Sequence, residues 1–306
     1  MNAKRSLSRS ASENPASGKP IDAPARSKPK PGLYLVATPI GNAADITLRA
    51  LDILRGVDLI ACEDTRVTGK LLARYGIATS MQPYHEHNAQ RMRPVLLRRL
   101  SEGAAIALVS DAGTPLVSDP GFKLVRAAID AGAAVTALPG PSAALAALSV
   151  AGLPTDRFFF AGFLPAKSAQ RRRALSELAG IKATLVVLES AQRLGESLAD
   201  MAAVLGPRPA AVARELTKLY EEVRRAPLPE LAQHYAAAGP PKGEIVVVIG
   251  PPGEAEVEER DIDADLKAAL ARVSLKQAVA DVTAASGLPR RVVYARALAL
   301  ANQRDG

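Results

Sequence analysis

Short apolar runs alternate with polar loops through the first half of the chain. Each run is four to six residues long and ends in turn-forming residues, which is typical of a buried strand. Segments with helical spacing of apolar residues, as at Leu48, Leu51 and Leu54, lie between the runs. This alternation predicts an α/β fold with a mostly parallel sheet covered on both faces, built on the runs 33–38, 57–61, 81–84, 105–109 and 133–138.

A second apolar series follows Gly152-Leu153-Pro154, where we place the domain boundary. Its runs are 155–163, 184–188, 210–213 and 243–250. Regular helices are fewer here, and Pro227 and Pro229 exclude one long helix over residues 220–238. We therefore expect a second, smaller domain of the α/β or α+β class.

The two ends of the chain differ from the middle. Residues 1–31 are rich in Ser, Ala, Pro and Lys without apolar periodicity, so we expect a disordered basic tail. Residues 254–265 are acidic and predict a linker to a helical segment, with Ser274 capping one helix and Pro289 opening the last. The predicted organisation is a tail (1–31), two domains (32–151 and 152–252) and a helix-turn-helix-like segment (253–306).

Net charge, cysteine content and the length of the apolar runs indicate what partners and compartment to expect for this protein. The net charge is +8, and the first 31 residues, with seven basic and two acidic side chains, account for +5 of it. A basic balance suits a polyanionic partner, but charge alone favours the simpler interpretation, a solvated surface with a charged tail. A single cysteine, Cys62, no signal peptide and no apolar run of membrane-spanning length predict a soluble protein of the reducing cytoplasm.

Several catalytic signatures are missing from the sequence. There is no G-x-G, no G-x-x-x-x-G-K-[ST] and no G-x-S-x-G, which excludes the dinucleotide fingerprint, the P-loop and the nucleophile elbow. His85-x-His87 lacks the spacing of a metal site, so we expect no metal. Cys62 is expected to be a packed strand end and not a nucleophile.

Polar loops follow four of the predicted strands. In the loop after residues 105–109, Asp111 can accept hydrogen bonds and Gly113 permits close backbone approach, while Asp119 and Pro120 open the next helix. An ordinary strand-to-helix connection explains this loop equally well. If the sheet is parallel, all four loops share one edge and suit a polar small molecule; they are TPIGN (38–42), CEDTR (62–66), SDAGTP (110–115) and PGPSA (139–143).

These loops, together with SDPG (118–121) and ARELTKLYEE (213–222), resemble the tetrapyrrole methylase superfamily, and within it the branch that methylates small-subunit ribosomal RNA. The resemblance covers about residues 32–250, and the last forty residues resemble that branch's helix-turn-helix. It implies a homodimer and S-adenosylmethionine bound in a cleft between two α/β domains. Donor-binding positions implied by motif are Pro39, Asp111, Gly113, Thr114, Pro115, Ser142 and Ala143, with Ser190, Ala213 and Gly243 from the second domain.

The resemblance also implies the acceptor, a cytidine ribose 2′-hydroxyl in small-subunit rRNA. Porphyrin- and corrin-methylating relatives carry a Gly-rich loop after the first strand, whereas this chain has ATPIGN. A tetrapyrrole C-methyltransferase and a non-catalytic RNA-binding protein remain the alternatives.

Four charged residues are candidates for catalysis. A ribose hydroxyl is a weak nucleophile, so a positioned base should help, and we place that base at Glu63 or Asp64. Arg66 and Lys218 could hold a phosphate or lower the pKa of the hydroxyl. Alternatively, Asp64 caps the following helix and Arg66 pairs with it.

Two basic clusters are candidate RNA contacts: Arg91, Arg93, Arg98 and Arg99, and Lys167, Arg171, Arg172 and Arg173. A solvated helix face is the competing interpretation of each. The chain has no Trp and few Phe and Tyr, so we expect binding to depend on phosphates and on the ribosomal context, the partner being rRNA or the 30S subunit.

Overall fold

The computed structural model describes residues 28–118, 121–252, 262–286 and 290–302. They form two compact units that divide after Ser142. Residues 1–27 of the expected tail, the expected cap Asp119 with Pro120, residues 254–261 of the acidic linker and the turn with Pro289 lie outside the described residues.

The first unit is built on a five-stranded sheet whose strand pairs are all parallel. Its order is β3-β2-β4-β1-β5. The strands are β1 (Gly32–Val36), β2 (Leu59–Cys62), β3 (Met81–Pro83), β4 (Ala105–Val109) and β5 (Val135–Leu138). The predicted parallel α/β sheet is confirmed.

Helices cover both faces of this sheet, because successive strand residues point to opposite sides. Ile60 packs with Leu54 on one face, and Ile106 packs with Leu96 and Leu124 on the other. Two of the three interior strands, β2 and β4, are buried along their whole length. The helices are α1 (Leu48–Gly56), α2 (Thr65–Arg74), α3 (Ala89–Ser101) and α4 (Phe122–Asp130).

The second unit holds a mixed five-stranded sheet in the order β6-β7-β10-β8-β9. Only the β6–β7 pair of this sheet is parallel. The strands are β6 (Phe158–Phe163), β7 (Thr184–Ser190), β8 (Pro209–Arg214), β9 (Glu222–Pro227) and β10 (Glu244–Ile249). The sequence analysis did not identify β9 because its EVRRAP segment is charged, as edge strands commonly are.

Four helices accompany this sheet: α5 (Ala143–Ala151), α6 (Ser168–Leu178), α7 (Leu194–Leu205) and α8 (Leu228–Ala238). Helix α5 contacts β7, β8 and β10. It therefore belongs to the second unit, which begins earlier than the expected boundary at Gly152–Pro154.

The C-terminal segment folds as three helices, α9 (Ile262–Leu270), α10 (Leu275–Ser286) and α11 (Arg290–Asn302). They bury Leu266, Val279 and Val293 in a small core of their own. The Ser274 hydroxyl accepts a hydrogen bond from the Gln277 amide at 3.4 Å, as expected for a cap. Across the described part of the chain, no helix is both long enough and apolar enough to cross a bilayer.

Candidate active site

Two of the polar loops of the first unit are joined by backbone hydrogen bonds at the carboxyl edge of the sheet. The amides of Thr38 and Gly113 each donate to the other's carbonyl, at 2.9 and 3.0 Å. The buried Thr38 hydroxyl donates to the Ser110 carbonyl at 3.1 Å. These bonds fix the loop after β1 against the loop after β4.

The loops after β2 and β5 are tied to the same structure. The Asp64 amide donates to Asp111 Oδ1 at 3.1 Å. The Thr114 hydroxyl donates to the Pro141 carbonyl at 3.0 Å. All four loops therefore form one continuous rim along a single edge of the first sheet, as the parallel pattern predicted.

Close packing of the backbone explains why small residues occupy this rim. Gly113 has φ of +79°, a conformation that side chains disfavour. A Cβ on Gly140 would lie only 2.8 Å from the Ala37 methyl group. The chain can thus present amides and carbonyls to a ligand at short range.

A cavity of about 340 Å³ opens beside the rim within the first unit. Its lining combines the Asp111 carboxylate, the cations of Lys70 and Arg74, and the apolar residues Pro39, Ile40 and Leu71. A sulfonium nucleoside donor carries ribose hydroxyls and an apolar thioether chain, so this mixture of groups fits such a molecule. Of the expected donor positions here, Pro39, Asp111, Thr114, Ser142 and Ala143 are partly exposed, whereas Gly113 and Pro115 are buried.

Asp64 is engaged by its neighbour. Its Oδ1 accepts from the Arg66 amide at 2.8 Å and caps α2, while Arg66 Nη2 donates to Oδ2 at 2.6 Å. These hydrogen bonds from Arg66 lower the pKa of Asp64 to about 2. The capping alternative thus describes the geometry, and Asp64 stays ionised at neutral pH with its lone pairs in use.

Glu63 is in a different state. The side chain is half-buried, and among the described residues none hydrogen-bonds with its carboxylate. Burial raises the pKa of Glu63, and the negative charges of Asp111 and Asp64 raise it further, against a smaller lowering by His85. A carboxylate with a raised pKa and free lone pairs has the properties of a general base.

His85 adjoins this group, and the sequence analysis considered it only as a metal ligand. Asn88 fixes its backbone, because Asn88 Oδ1 accepts from the His85 amide at 3.0 Å. Nδ1 of His85 is buried without a hydrogen-bond partner among the described residues. In that same set no group of three or more His, Cys, Asp or Glu residues is arranged to hold a metal ion.

Cys62 is buried, which raises the pKa of its thiol and makes it a poor nucleophile.

In the second unit, the remaining expected site residues gather at one edge of the mixed sheet. Ser190 ends β7 and pairs in register with Glu244, at the start of β10 next to Gly243. The Ser190 hydroxyl accepts from Arg193 Nε at 2.9 Å. Ala213 is buried on β8, opposite Val246.

Lys218 lies in the β8–β9 loop at this edge. Its Nζ donates to Glu215 Oε1 at 2.8 Å and to Glu244 Oε2 at 3.1 Å. Burial lowers the pKa of Lys218, but the two carboxylate hydrogen bonds outweigh it and the net shift is upward. Lys218 therefore stays protonated at neutral pH and is unsuited to accepting a proton.

Gly243 leaves room for the Glu215 side chain that pairs with Lys218, and a prediction follows from this. It has φ of +104°, and a Cβ there would collide with side-chain atoms of Glu215. We expect Gly243→Ala to lower the free energy of unfolding by roughly 1–3 kcal/mol more than Gly239→Ala, measured by urea denaturation. Gly239 is the matched control because it also has positive φ, but a Cβ there meets nothing within 4 Å. Equal losses of stability in both variants would contradict the collision.

The expected RNA clusters need one correction. Arg171 is only 1% exposed and its Nη2 lies 2.7 Å from Asp200 Oδ2, so it cannot contact a nucleic acid. Arg172 and Arg173 remain accessible on the same helix. In the other cluster Arg91, Arg98 and Arg99 are exposed, whereas Arg93 is half-buried.

Two family models and several named proteins match this chain. The family model of Tetrapyrrole (Corrin/Porphyrin) Methylases matches residues 32–232, and that of the RsmI C-terminal HTH domain matches residues 256–301. Ribosomal RNA small subunit methyltransferase I of Mesorhizobium japonicum is 53% identical over 89% of this chain and 92% of its own length. The same-named protein of Escherichia coli O157:H7 is 48% identical over 87% and 94%.

A solved structure shares the fold at lower identity. Uroporphyrin-III C-methyltransferase from Thermus thermophilus, complexed with S-adenyl homocysteine, matches with a TM-score of 0.50 at 21% identity. The match covers 72% of this chain and 97% of that one.

Proposed function

The chain belongs to the tetrapyrrole (corrin/porphyrin) methylase family, and from that premise we propose that it methylates small-subunit ribosomal RNA with S-adenosylmethionine as donor. The names of the relatives at 53% and 48% identity support the rRNA substrate. The S-adenyl homocysteine complex of the Thermus thermophilus enzyme supports the donor.

The observation that carries this proposal is the continuous rim of the first unit. Four loops are joined there by hydrogen bonds through Thr38, Asp111, Gly113 and Thr114. Such a rim offers more backbone and hydroxyl groups than titratable ones, which suits the binding of a polar nucleoside with its ribose hydroxyls. Methyl transfer from a sulfonium requires little more from the protein than alignment and exclusion of water.

We place the donor contacts at the residues implied by motif. In the first unit these are the positions along the rim, with Pro39 and Asp111 also lining the cavity. Ser190, Ala213 and Gly243 are the corresponding positions of the second unit. S-adenosylmethionine supplies an electrophilic methyl carbon at these residues.

The finer proposal concerns the acceptor, the 2′-hydroxyl of a cytidine. It is supported by the resemblance of the loop motifs to the rRNA-methylating branch, and by ATPIGN in place of the Gly-rich loop of tetrapyrrole-methylating relatives. Glu63 is the proposed base, because its carboxylate is free and its pKa is raised by burial and by its anionic neighbours. Asp64 acts through Arg66, which it orients, and Arg66 and Lys218 are the proposed contacts for acceptor phosphates.

We also propose that the enzyme acts as a homodimer in the cytoplasm. The resemblance to the family branch supports the dimer, and rRNA as substrate supports the compartment. Strand β6 lies at the edge of its sheet and exposes Phe158, Phe159 and Phe163, an apolar surface of the kind that protein contacts cover.

The test is methyl transfer from labelled S-adenosylmethionine. We expect label in small-subunit rRNA when 30S subunits from a strain lacking this gene are the substrate, and none in subunits that are already modified. Mass mapping of the product should place the methyl group on a cytidine ribose. Label in a porphyrinogen instead of rRNA would favour the tetrapyrrole alternative, and RNA binding without transfer would favour a non-catalytic protein.

A further inference from the structure

A second cavity, of about 590 Å³, lies within the second unit. This open cavity is lined by the end of β8, the β8–β9 loop, the start of β9, the end of α8 and the segment before β10. Its side chains include cations and rings side by side: Arg214, Arg224, Lys242, Tyr220, His234 and Tyr235. The volume lies in the range of pockets that hold a small organic ligand.

The charge of this cavity is positive on balance. Among the described residues that line it, Glu222 is the one acidic side chain, and it is already occupied by two arginines. Arg214 Nη2 lies 3.0 Å from Glu222 Oε2, and Arg224 Nη2 lies 3.3 Å from Oε1. Lys242 is exposed and has no acidic partner in the described part of the chain. One carboxylate thus faces three cations, which leaves two positive charges for an anionic ligand.

The aromatic side chains of this cavity differ in how far they are exposed to solvent. Tyr235 is buried at the floor, and the His234 ring packs edge-on against it with centroids 4.9 Å apart. Tyr220 also lines the cavity, and 68% of its surface is exposed to solvent. An exposed ring beside cations that outnumber the carboxylates around them is the combination by which proteins stack a base and hold its phosphate.

The loop that carries Tyr220 is held in place, so the exposure of its ring is built in. Glu215 and Thr217 have positive φ, at 50° and 67°. The Thr217 amide donates to Glu221 Oε2 at 2.6 Å, and Lys218 Nζ ties the loop to Glu215 and Glu244. Side chains that hold a loop in a disfavoured backbone conformation are common at functional sites.

We propose that this cavity binds one nucleotide of the single-stranded RNA acceptor, with the base stacked on Tyr220 and the phosphate held by Arg224 and Lys242. The inference rests on the proposed function, because it takes RNA as the acceptor. It adds an RNA subsite to residues that neither the donor site nor the methyl-transfer step uses. It also supplies the stacking contact that the low aromatic content made unexpected.

The test compares variants of the full-length chain by binding to an unmethylated small-subunit rRNA transcript without donor. Tyr220→Ala should weaken binding by roughly tenfold, and Tyr220→Phe should restore it, because the ring is retained. Arg224→Gln with Lys242→Gln should weaken binding and reduce the slope of log K against log salt by roughly 0.7 for each phosphate that is no longer bound. In turnover, the weaker binding should appear in KM for RNA and not in kcat.

Lys182→Gln is the matched control, because Lys182 is exposed in the same unit but precedes β7, at the opposite edge of the sheet. It should leave both affinity and salt slope unchanged. Donor binding by calorimetry should be the same in every variant. If the wild type methylates rRNA while all variants bind RNA as it does, the subsite is wrong and the proposed function stands. If the wild type neither binds nor methylates rRNA, both fail.

Discussion

Glu63→Gln is expected to lower kcat for methyl transfer by roughly 10²–10⁴-fold with little change in donor affinity. The amide retains the size of the carboxylate but cannot accept the proton of the attacking hydroxyl. Glu63 has no hydrogen-bond partner among the described residues, so its replacement disrupts no hydrogen bond of the fold there. Single-turnover rates with saturating donor and acceptor measure this effect directly.

Glu86→Gln is the control for this variant. Glu86 is an exposed carboxylate in the loop after β3, at the same edge of the same sheet. Its replacement should leave kcat unchanged, which separates a specific base from a general effect of negative charge. A kcat of Glu63→Gln within a few-fold of the wild type would remove Glu63 from the mechanism.

The pH dependence follows from the same group. The active base is ionised, so kcat should rise with pH through the folded-state pKa of Glu63 and level off above it. Burial and the neighbouring carboxylates place that pKa above the ordinary value of 4.5. The same upward shift means that any stability due to protonated Glu63 is present at low pH and lost as pH rises through that pKa. Glu63→Asp retains a carboxylate at this position, so the kcat of this variant should still fall as the pH is lowered.

Arg171→Leu is expected to lower the free energy of unfolding by about 3 kcal/mol. The variant leaves the Asp200 carboxylate buried without its main cation, and removing one partner of a buried pair typically costs about 3–5 kcal/mol. The lower end applies because the Ser168 hydroxyl, at 3.1 Å, and Arg172 Nε, at 3.5 Å, still face Asp200. Urea denaturation measures the change, and an m-value equal to that of the wild type checks that both proteins unfold in the same way.

The control lies on the same helix. Arg173 is exposed, and its Nε lies 3.6 Å from Oε1 of the exposed Glu177. Arg173→Leu should therefore change the free energy of unfolding by less than about 0.5 kcal/mol. The double variant Arg171→Leu with Asp200→Leu should recover much of the stability, because no charge is then buried alone. Additive effects in the double variant would show that the pair is not the cause.

Arg171 also bears on the proposed RNA contacts of helix α6. Its Nη1 donates to the Ala166 carbonyl at 3.0 Å, in the loop that ends β6 and carries Lys167. Arg171 is therefore a structural anchor for a basic loop, and not itself a contact. The sequence LPAKSAQRRR does not distinguish the two roles, because three successive arginines look alike until helix α6 places one of them inward.

The sequence by itself determined the sheet of the first unit and the shared edge of its loops. Buried parallel strands are continuous apolar runs, and parallel strands bring their carboxyl-end loops together whatever lies between. It also determined the family, because five ordered loop motifs are individually weak but jointly specific. Strand β9 could not be predicted, since an edge strand needs no apolar alternation when one side faces solvent.

Only the tertiary structure decided which charged groups are free to act. Asp64 and Glu63 are adjacent in sequence, yet one is tied to Arg66 and the other has no hydrogen-bond partner among the described residues. The cavity around Tyr220 likewise brings together residues of two stretches of the chain, 214–224 and 234–242. The physical reason is that the burial of Glu63 and its proximity to Asp111 depend on contacts between residues distant in sequence, whereas the Asp64–Arg66 pair, the strand pattern and the loop chemistry are local.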